Sequence, residues 1–65
     1  MTEGVITNLR EGFGFIKIEG QEKDLFFHAN ELVDVQFDSL RVGDKLQFEI
    51  GDSPKGKNAV NVHKI

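Results

Sequence analysis

Cysteine is absent from this chain of 65 residues, as are tryptophan and tyrosine. Without cysteine the chain can form neither a disulfide scaffold nor a thiolate zinc site, and a reducing compartment fits best. Long apolar runs are also missing, since the longest is Leu25-Phe26-Phe27. We therefore expect neither a membrane-spanning segment nor a signal peptide, and we expect a cytoplasmic location.

Basic residues are scarce as well. The chain has eight Lys and Arg against eleven Asp and Glu, which gives a formal net charge of −3. This balance excludes a basic nucleic-acid-binding tail. The length allows one small domain, residues 1–65, with a small core and a marginal fold.

Short apolar stretches recur between turn residues, without sustained helical spacing. They predict strands at 4–9, 13–18, 24–28, 45–50 and 59–65. Residues 29–40 form a long connection with at most one helical turn near 30–32, and residues 51–58 form an exposed hairpin loop. Strands this short cannot make two stacked sheets with a useful core. The predicted fold class is therefore all-β, a five-stranded antiparallel barrel.

Alternation predicts which side chains point into this barrel. In the fourth strand the inward residues are Leu46, Phe48 and Ile50. In the last strand Val60, Val62 and Ile65 point inward if the alternation is unbroken. The sidedness of the first strand stays open.

The second and third strands carry large aromatic side chains on both faces. If the barrel is filled by Ile16, Ile18, Leu25 and Phe27, the outward residues are Phe13, Phe15, Phe26 and His28. Spacing alone also permits Phe13 and Phe15 in the core. Gly14 favours the outward arrangement, because glycine at this position lets the strand bend at a barrel corner.

Exposed aromatic rings are costly without a partner. Single-stranded nucleic acid is such a partner, because every base offers a face that stacks on a ring. Nearby Lys17, Lys55 and Lys57 would neutralise phosphates. The rival hypothesis is a protein-interaction barrel that docks a partner through the exposed phenylalanines or a strand edge.

The sequence Gly12-Phe13-Gly14-Phe15-Ile16 followed by Asp24-Leu25-Phe26-Phe27-His28 resembles the paired ribonucleoprotein motifs of the cold-shock domain. The resemblance extends nearly end to end and implies an OB-fold barrel. It also implies that Phe37 is a further base-stacking ring. The partner it implies is single-stranded RNA or DNA, which we expect to be pyrimidine-rich, bound by a monomer that acts as an RNA chaperone.

The first strand departs from the family pattern. It reads Thr7-Asn8-Leu9 where the family usually shows Lys-Trp-Phe, and Glu11 stands where a basic residue is usual. Ala29 replaces the aromatic residue that commonly follows the motif histidine. The stacking surface is thus reduced to four phenylalanines and one histidine.

Catalytic and metal chemistry find little support in the sequence. His28 and His63 lie far apart with no further ligands to join them, and Ser53 has no neighbouring base. Gly12-x-Gly14 lacks the rest of a dinucleotide fingerprint. We expect no enzyme activity, no cofactor, no metal and no small-molecule substrate.

Overall fold

The structure is a computed structural model that describes residues 1–54 and 56–65. Within these residues the strands are β1 (Thr2–Arg10), β2 (Phe13–Lys17), β3 (Leu25–His28), β4 (Lys45–Ser53) and β5 (Gly56–Lys64). The connection from β3 to β4 contains 3₁₀ turns at Ala29–Glu31 and Phe37–Ser39. The second turn was not predicted; its end is fixed by Ser39, whose Oγ donates a hydrogen bond of 2.8 Å to the Gln36 carbonyl.

The strands close into a barrel in the order β1-β2-β3-β5-β4, and β4 pairs back onto β1. This confirms the predicted all-β barrel. The prediction of a wholly antiparallel barrel is wrong for one pair, because β3 and β5 run parallel. The long connection carries the chain across to β4, and the hairpin after β4 brings β5 back alongside β3 in the same direction.

The barrel interior is apolar. Its buried side chains are Ile6, Ile16, Ile18, Phe27, Leu40, Leu46, Phe48, Ala59 and Val62. The inward direction predicted for Ile16, Phe27 and Phe48 is confirmed. Leu25 is only half-buried and packs against this core from its edge.

The last strand does not keep its alternation. Gln47 pairs with His63 but Glu49 pairs with Val60, so two residues of β5, Asn61 and Val62, lie opposite one residue of β4. Asn61 adopts a φ of 51°, the left-handed conformation that asparagine tolerates at a β-bulge. The bulge makes Ala59 and Val62 the buried pair.

The inward prediction is therefore wrong for Val60, which is half-buried, and for the exposed Ile65. It is also wrong for Ile50, which is 43% exposed. Beyond Phe48 strand β4 leaves the core, whereas Ala59, opposite Ile50, stays buried. The hairpin continues as paired strands through residues predicted to be loop, with Ser53 pairing with Gly56.

Among the described residues, no helix has the length and apolar character needed to cross a membrane.

Candidate nucleic-acid interface

Three aromatic rings lie together on the outer face of β2 and β3. Phe15 of β2 pairs with Phe26 of β3, and Phe13 pairs with His28. The alternate residues Gly14 and Phe27, which pair with each other, are buried. The outward direction, predicted from alternation together with Gly14, is thus confirmed. We call Phe13, Phe15 and Phe26 the ring cluster.

The rings of the cluster contact one another. The Phe13 centroid lies 5.5 Å from that of Phe26 and 6.1 Å from that of Phe15. Phe15 and Phe26 are 6.0 Å apart, and both contacts of Phe15 are edge-to-face. These spacings are typical of stabilising aromatic pairs, so the rings hold each other in place. Phe26 nevertheless remains 36% exposed.

Gly14 allows the outer rings and the inner core to share one strand. A Cβ atom at this position would lie 2.8 Å from the Phe27 ring and 2.8 Å from the Asn8 carbonyl oxygen of β1. Real Cβ atoms do not approach so closely, so a side chain here would push β1 and the Phe27 ring away. The missing side chain brings β1 close to β2 behind the ring cluster.

His28 is exposed beside Phe13 and also ends β3. Its Nδ1 accepts a hydrogen bond of 3.1 Å from the Asn30 backbone N–H and so caps the first 3₁₀ turn. Because Nδ1 is the acceptor, the neutral ring carries its proton on Nε2. An N–H donor is therefore free to point away from the protein surface.

Two of the predicted phosphate-binding lysines, Lys17 and Lys57, lie at different places around the ring cluster. Lys17 follows Phe15 on the outer face of β2 and is exposed. Lys57 of β5 lines an open cavity of about 370 Å³ together with Phe26, Ser53 and Asn58. Lys55 lies outside the described residues.

Phe37 is not part of the ring cluster. It lies in the second 3₁₀ turn, is half-buried, and packs its ring 6.5 Å from that of Phe27. A base stacked on Phe37 would therefore lie at a different position from bases stacked on the ring cluster.

Sequence reasoning missed three polar residues on this surface. Asn8 pairs with Phe15 and Arg10 pairs with Phe13 across the β1–β2 hairpin, so both lie on the outer face. The tight turn at Gly12, which has a φ of 85°, would have allowed this pairing to be predicted. Counting the register back from a two-residue turn places Arg10 opposite Phe13. Asn58, which pairs with Phe26, was missed for another reason, because nothing in the sequence places β5 beside β3.

One edge of the surface is acidic. Asp24, just before β3, accepts a hydrogen bond of 2.6 Å from the Thr7 hydroxyl, and Glu19 and Glu22 are exposed in the preceding loop. These carboxylates lie beyond the Lys17 end of β2. In the part of the chain that the structure describes, no three histidine, aspartate or glutamate side chains gather into a metal-binding group.

The sequence matches the "'Cold-shock' DNA-binding domain" family over residues 2–65. The chain belongs to this family. The resemblance carried by the two phenylalanine-rich motifs is thereby confirmed. Cold-shock domains bind nucleic acid and are not enzymes.

Relatives matched over most or all of their length are named cold shock proteins. A probable cold shock protein A of Mycobacterium tuberculosis is 39% identical over 67 aligned residues, which cover 100% of both chains. The cold shock protein CspA of Staphylococcus saprophyticus is 36% identical with the same coverage. The major cold shock protein CspA of Bacillus cereus is 43% identical over 58 residues, covering 89% of this chain and 85% of that one.

A solved structure has the same fold. The structure titled drosophila Unr CSD456 superposes with a TM-score of 0.84 and 26% sequence identity over 98% of this chain. This cold-shock domain spans 26% of that longer chain. The OB-fold barrel implied by the motifs is thus shown.

Proposed function

We propose that this cold-shock domain binds single-stranded RNA or DNA by stacking bases on the ring cluster and His28. The observation that carries the proposal is the ring cluster itself. Three phenylalanines lie outside a barrel whose core is already filled by other residues. Aromatic rings on such a surface supply stacking faces that accept any base.

Phosphate contacts play the smaller part in this proposal. The chain has a net charge of −3, and the candidate cations are Lys17, Lys57 and Lys55. The acidic edge at Asp24 repels a phosphate backbone on one side. Affinity therefore depends mainly on stacking, and a short pyrimidine-rich strand suits it because flexible, weakly self-stacked bases are easily splayed onto the rings.

Phe37 extends the proposed surface to a second place. Its half-buried ring in the connection after β3 would stack a base beyond those on the ring cluster. Binding that relies on a few stacked bases is short-lived. Such binding by a monomer would keep transcripts unpaired, which is the action of an RNA chaperone.

The proposal is tested by fluorescence anisotropy with a labelled strand of about seven pyrimidines, a length within the usual range for an OB fold. We expect saturable binding to the single strand and none to a duplex of the same sequence, because paired bases do not present their faces. Equal affinity for the duplex would contradict stacking. No binding to either would favour the protein-interaction hypothesis.

The chaperone role needs a separate measurement. A labelled RNA hairpin with a marginally stable stem should open faster when the protein is present, and Phe26→Ala should remove the acceleration. Opening that is unchanged by the protein would restrict the function to binding.

A further inference from the structure

The outer face of β1 carries two polar residues directly beside the ring cluster. We call Asn8 and Arg10 the polar strip. Asn8 pairs with Phe15 and Arg10 pairs with Phe13 in the antiparallel β1–β2 ladder. Side chains paired in this way lie on the same face with Cβ atoms about 4.5–5.5 Å apart. The polar strip and the rings therefore form one continuous surface.

A β-bulge at Thr7 places the strip there. Ile6 pairs with Ile16 and Asn8 with Phe15, so Thr7 is an extra residue in β1. In a regular strand without the bulge, Asn8 would lie two residues after Ile6 and would share its inward face. The bulge is held by the Thr7 hydroxyl, which donates to Asp24 at 2.6 Å. The bulge lets Ile6 point inward while Asn8 and Arg10, which pair with Phe15 and Phe13, point outward and Leu9 packs against the core.

Both side chains are free to bind a ligand. Among the described residues, neither the Asn8 amide nor the Arg10 guanidinium makes a side-chain hydrogen bond or an ion pair. Arg10 is exposed and Asn8 is half-buried. A base stacked on Phe13 or Phe15 would present its edge to these groups.

We infer that the polar strip reads the edge of one stacked base and selects guanine at that position. The inference rests on the proposed function, because a base must first stack on the rings. The guanidinium fork of arginine matches the adjacent O6 and N7 acceptors of guanine. Uracil separates its two oxygen acceptors by an N–H group and cannot accept the fork in this way. The Asn8 amide adds one donor and one acceptor beside it.

A contact from Arg10 to phosphate is the competing assignment, and it makes a different prediction. A phosphate contact strengthens binding of every sequence alike and is largely retained when lysine replaces arginine. A bidentate base contact is lost with lysine, which has no planar fork. The ratio of affinities for two strands that differ in one base therefore separates the two roles.

The experiment measures affinities for four labelled ribonucleotide heptamers, uridine throughout except for uridine, guanosine, adenosine or cytidine at the centre. We expect the wild-type protein to bind the guanosine heptamer about tenfold more tightly than the all-uridine heptamer, within the range of one good bidentate contact. Arg10→Lys should reduce this ratio to near one, and Asn8→Ala should reduce it partly. Deoxyribonucleotide heptamers should give the same ranking, because O6 and N7 are common to both.

Arg41→Lys is the matched control, since the Arg41 guanidinium bonds the carbonyls of Asp38 and Leu40 in the connection after β3. It should keep the tenfold ratio. If the wild type binds all four heptamers equally, or Arg10→Lys keeps the preference, or cytidine or adenosine matches guanosine, the inference is overturned while the proposed function stands. If the wild type binds none of them, the proposed function itself fails.

Discussion

The inner and outer faces of β2 and β3 use the same residue type for different purposes. Phe27 is fully buried, whereas its neighbour Phe26 is 36% exposed. The inner ring packs within the barrel core, with the Phe37 ring 6.5 Å away, and the outer ring packs against other rings at the surface. Direction along the strand therefore decides whether a phenylalanine serves stability or forms a surface.

The two faces are coupled through Gly14. Phe13 and Phe15, the neighbours of Gly14 in β2, point their rings outward. The Phe27 ring occupies the space that a side chain at Gly14 would need. The outer rings can be spaced as they are because the inner ring fills the gap beneath them. Mutations at the inner ring, at the glycine and at the outer rings therefore test the difference between the two faces.

The largest expected effect is on the inner face. Phe27→Ala removes a ring with no exposed surface, and truncating a buried phenylalanine costs about 3–5 kcal/mol. A domain this small has a free energy of unfolding of about 5 kcal/mol or less, so we expect the variant to be largely unfolded. Thermal melts followed by circular dichroism measure this. Phe26→Ala is the matched control, and a Phe27→Ala variant that melts like it would contradict the assignment of faces.

A smaller loss of stability is expected at the glycine. Gly14→Ala places a Cβ atom 2.8 Å from the Phe27 ring and from the Asn8 carbonyl oxygen, and overpacking of this kind costs about 1–3 kcal/mol. Gly51→Ala is the control, because its Cβ would meet only the Val60 side chain, at 3.1 Å. Urea titrations should rank the Gly51 variant as the more stable. The reverse order would mean that β1 can move away from β2 freely.

On the outer face we expect the main effect on binding, with only a small effect on stability. Phe15→Ala and Phe26→Ala should each weaken oligonucleotide binding by about 1–3 kcal/mol, the value of one stacked base. Their melting temperatures should fall much less than that of Phe27→Ala, because each lost ring contact is worth about 0.5–1.5 kcal/mol. Anisotropy titrations and melts on the same samples test both statements. Should these variants bind normally while folded, the ring cluster would have no part in binding.

The sequence predicted the faces of β2 and β3 because no bulge interrupts their pairing. Alternation then divides the residues between two faces, Gly14 favours Phe13 and Phe15 as the outer ones, and Phe26 and Phe27 were assigned correctly. The same reasoning failed in β5, where the bulge at Asn61 buries Ala59 and Val62 instead of Val60. A bulge depends on how the strands fit around the closed barrel, which the local sequence does not reveal.

The candidate site was predictable to a similar degree. Phe13, Phe15 and Phe26 follow from alternation together with Gly14. Asn8 and Arg10 follow from the register of the tight turn at Gly12, which was not used. Asn58 depends on the parallel pairing of β3 with β5, two strands separated by the long connection. Contacts between distant segments are set by closure of the whole barrel, so they cannot be predicted from the sequence of each strand taken separately.

The smallest expected effect concerns charge around the outer face. If Lys17, Lys57 and Lys55 neutralise two or three phosphates, log affinity should fall against log salt with a slope of about −1.4 to −2.1 for a single strand. Lys57→Ala should make that slope shallower by about 0.7, because one phosphate contact is lost. Phe26→Ala should lower affinity at every salt concentration and leave the slope alone, since stacking releases no counterions. A wild-type slope steeper than about −4 would show that phosphate contacts dominate, and stacking on the ring cluster would then be the minor contribution.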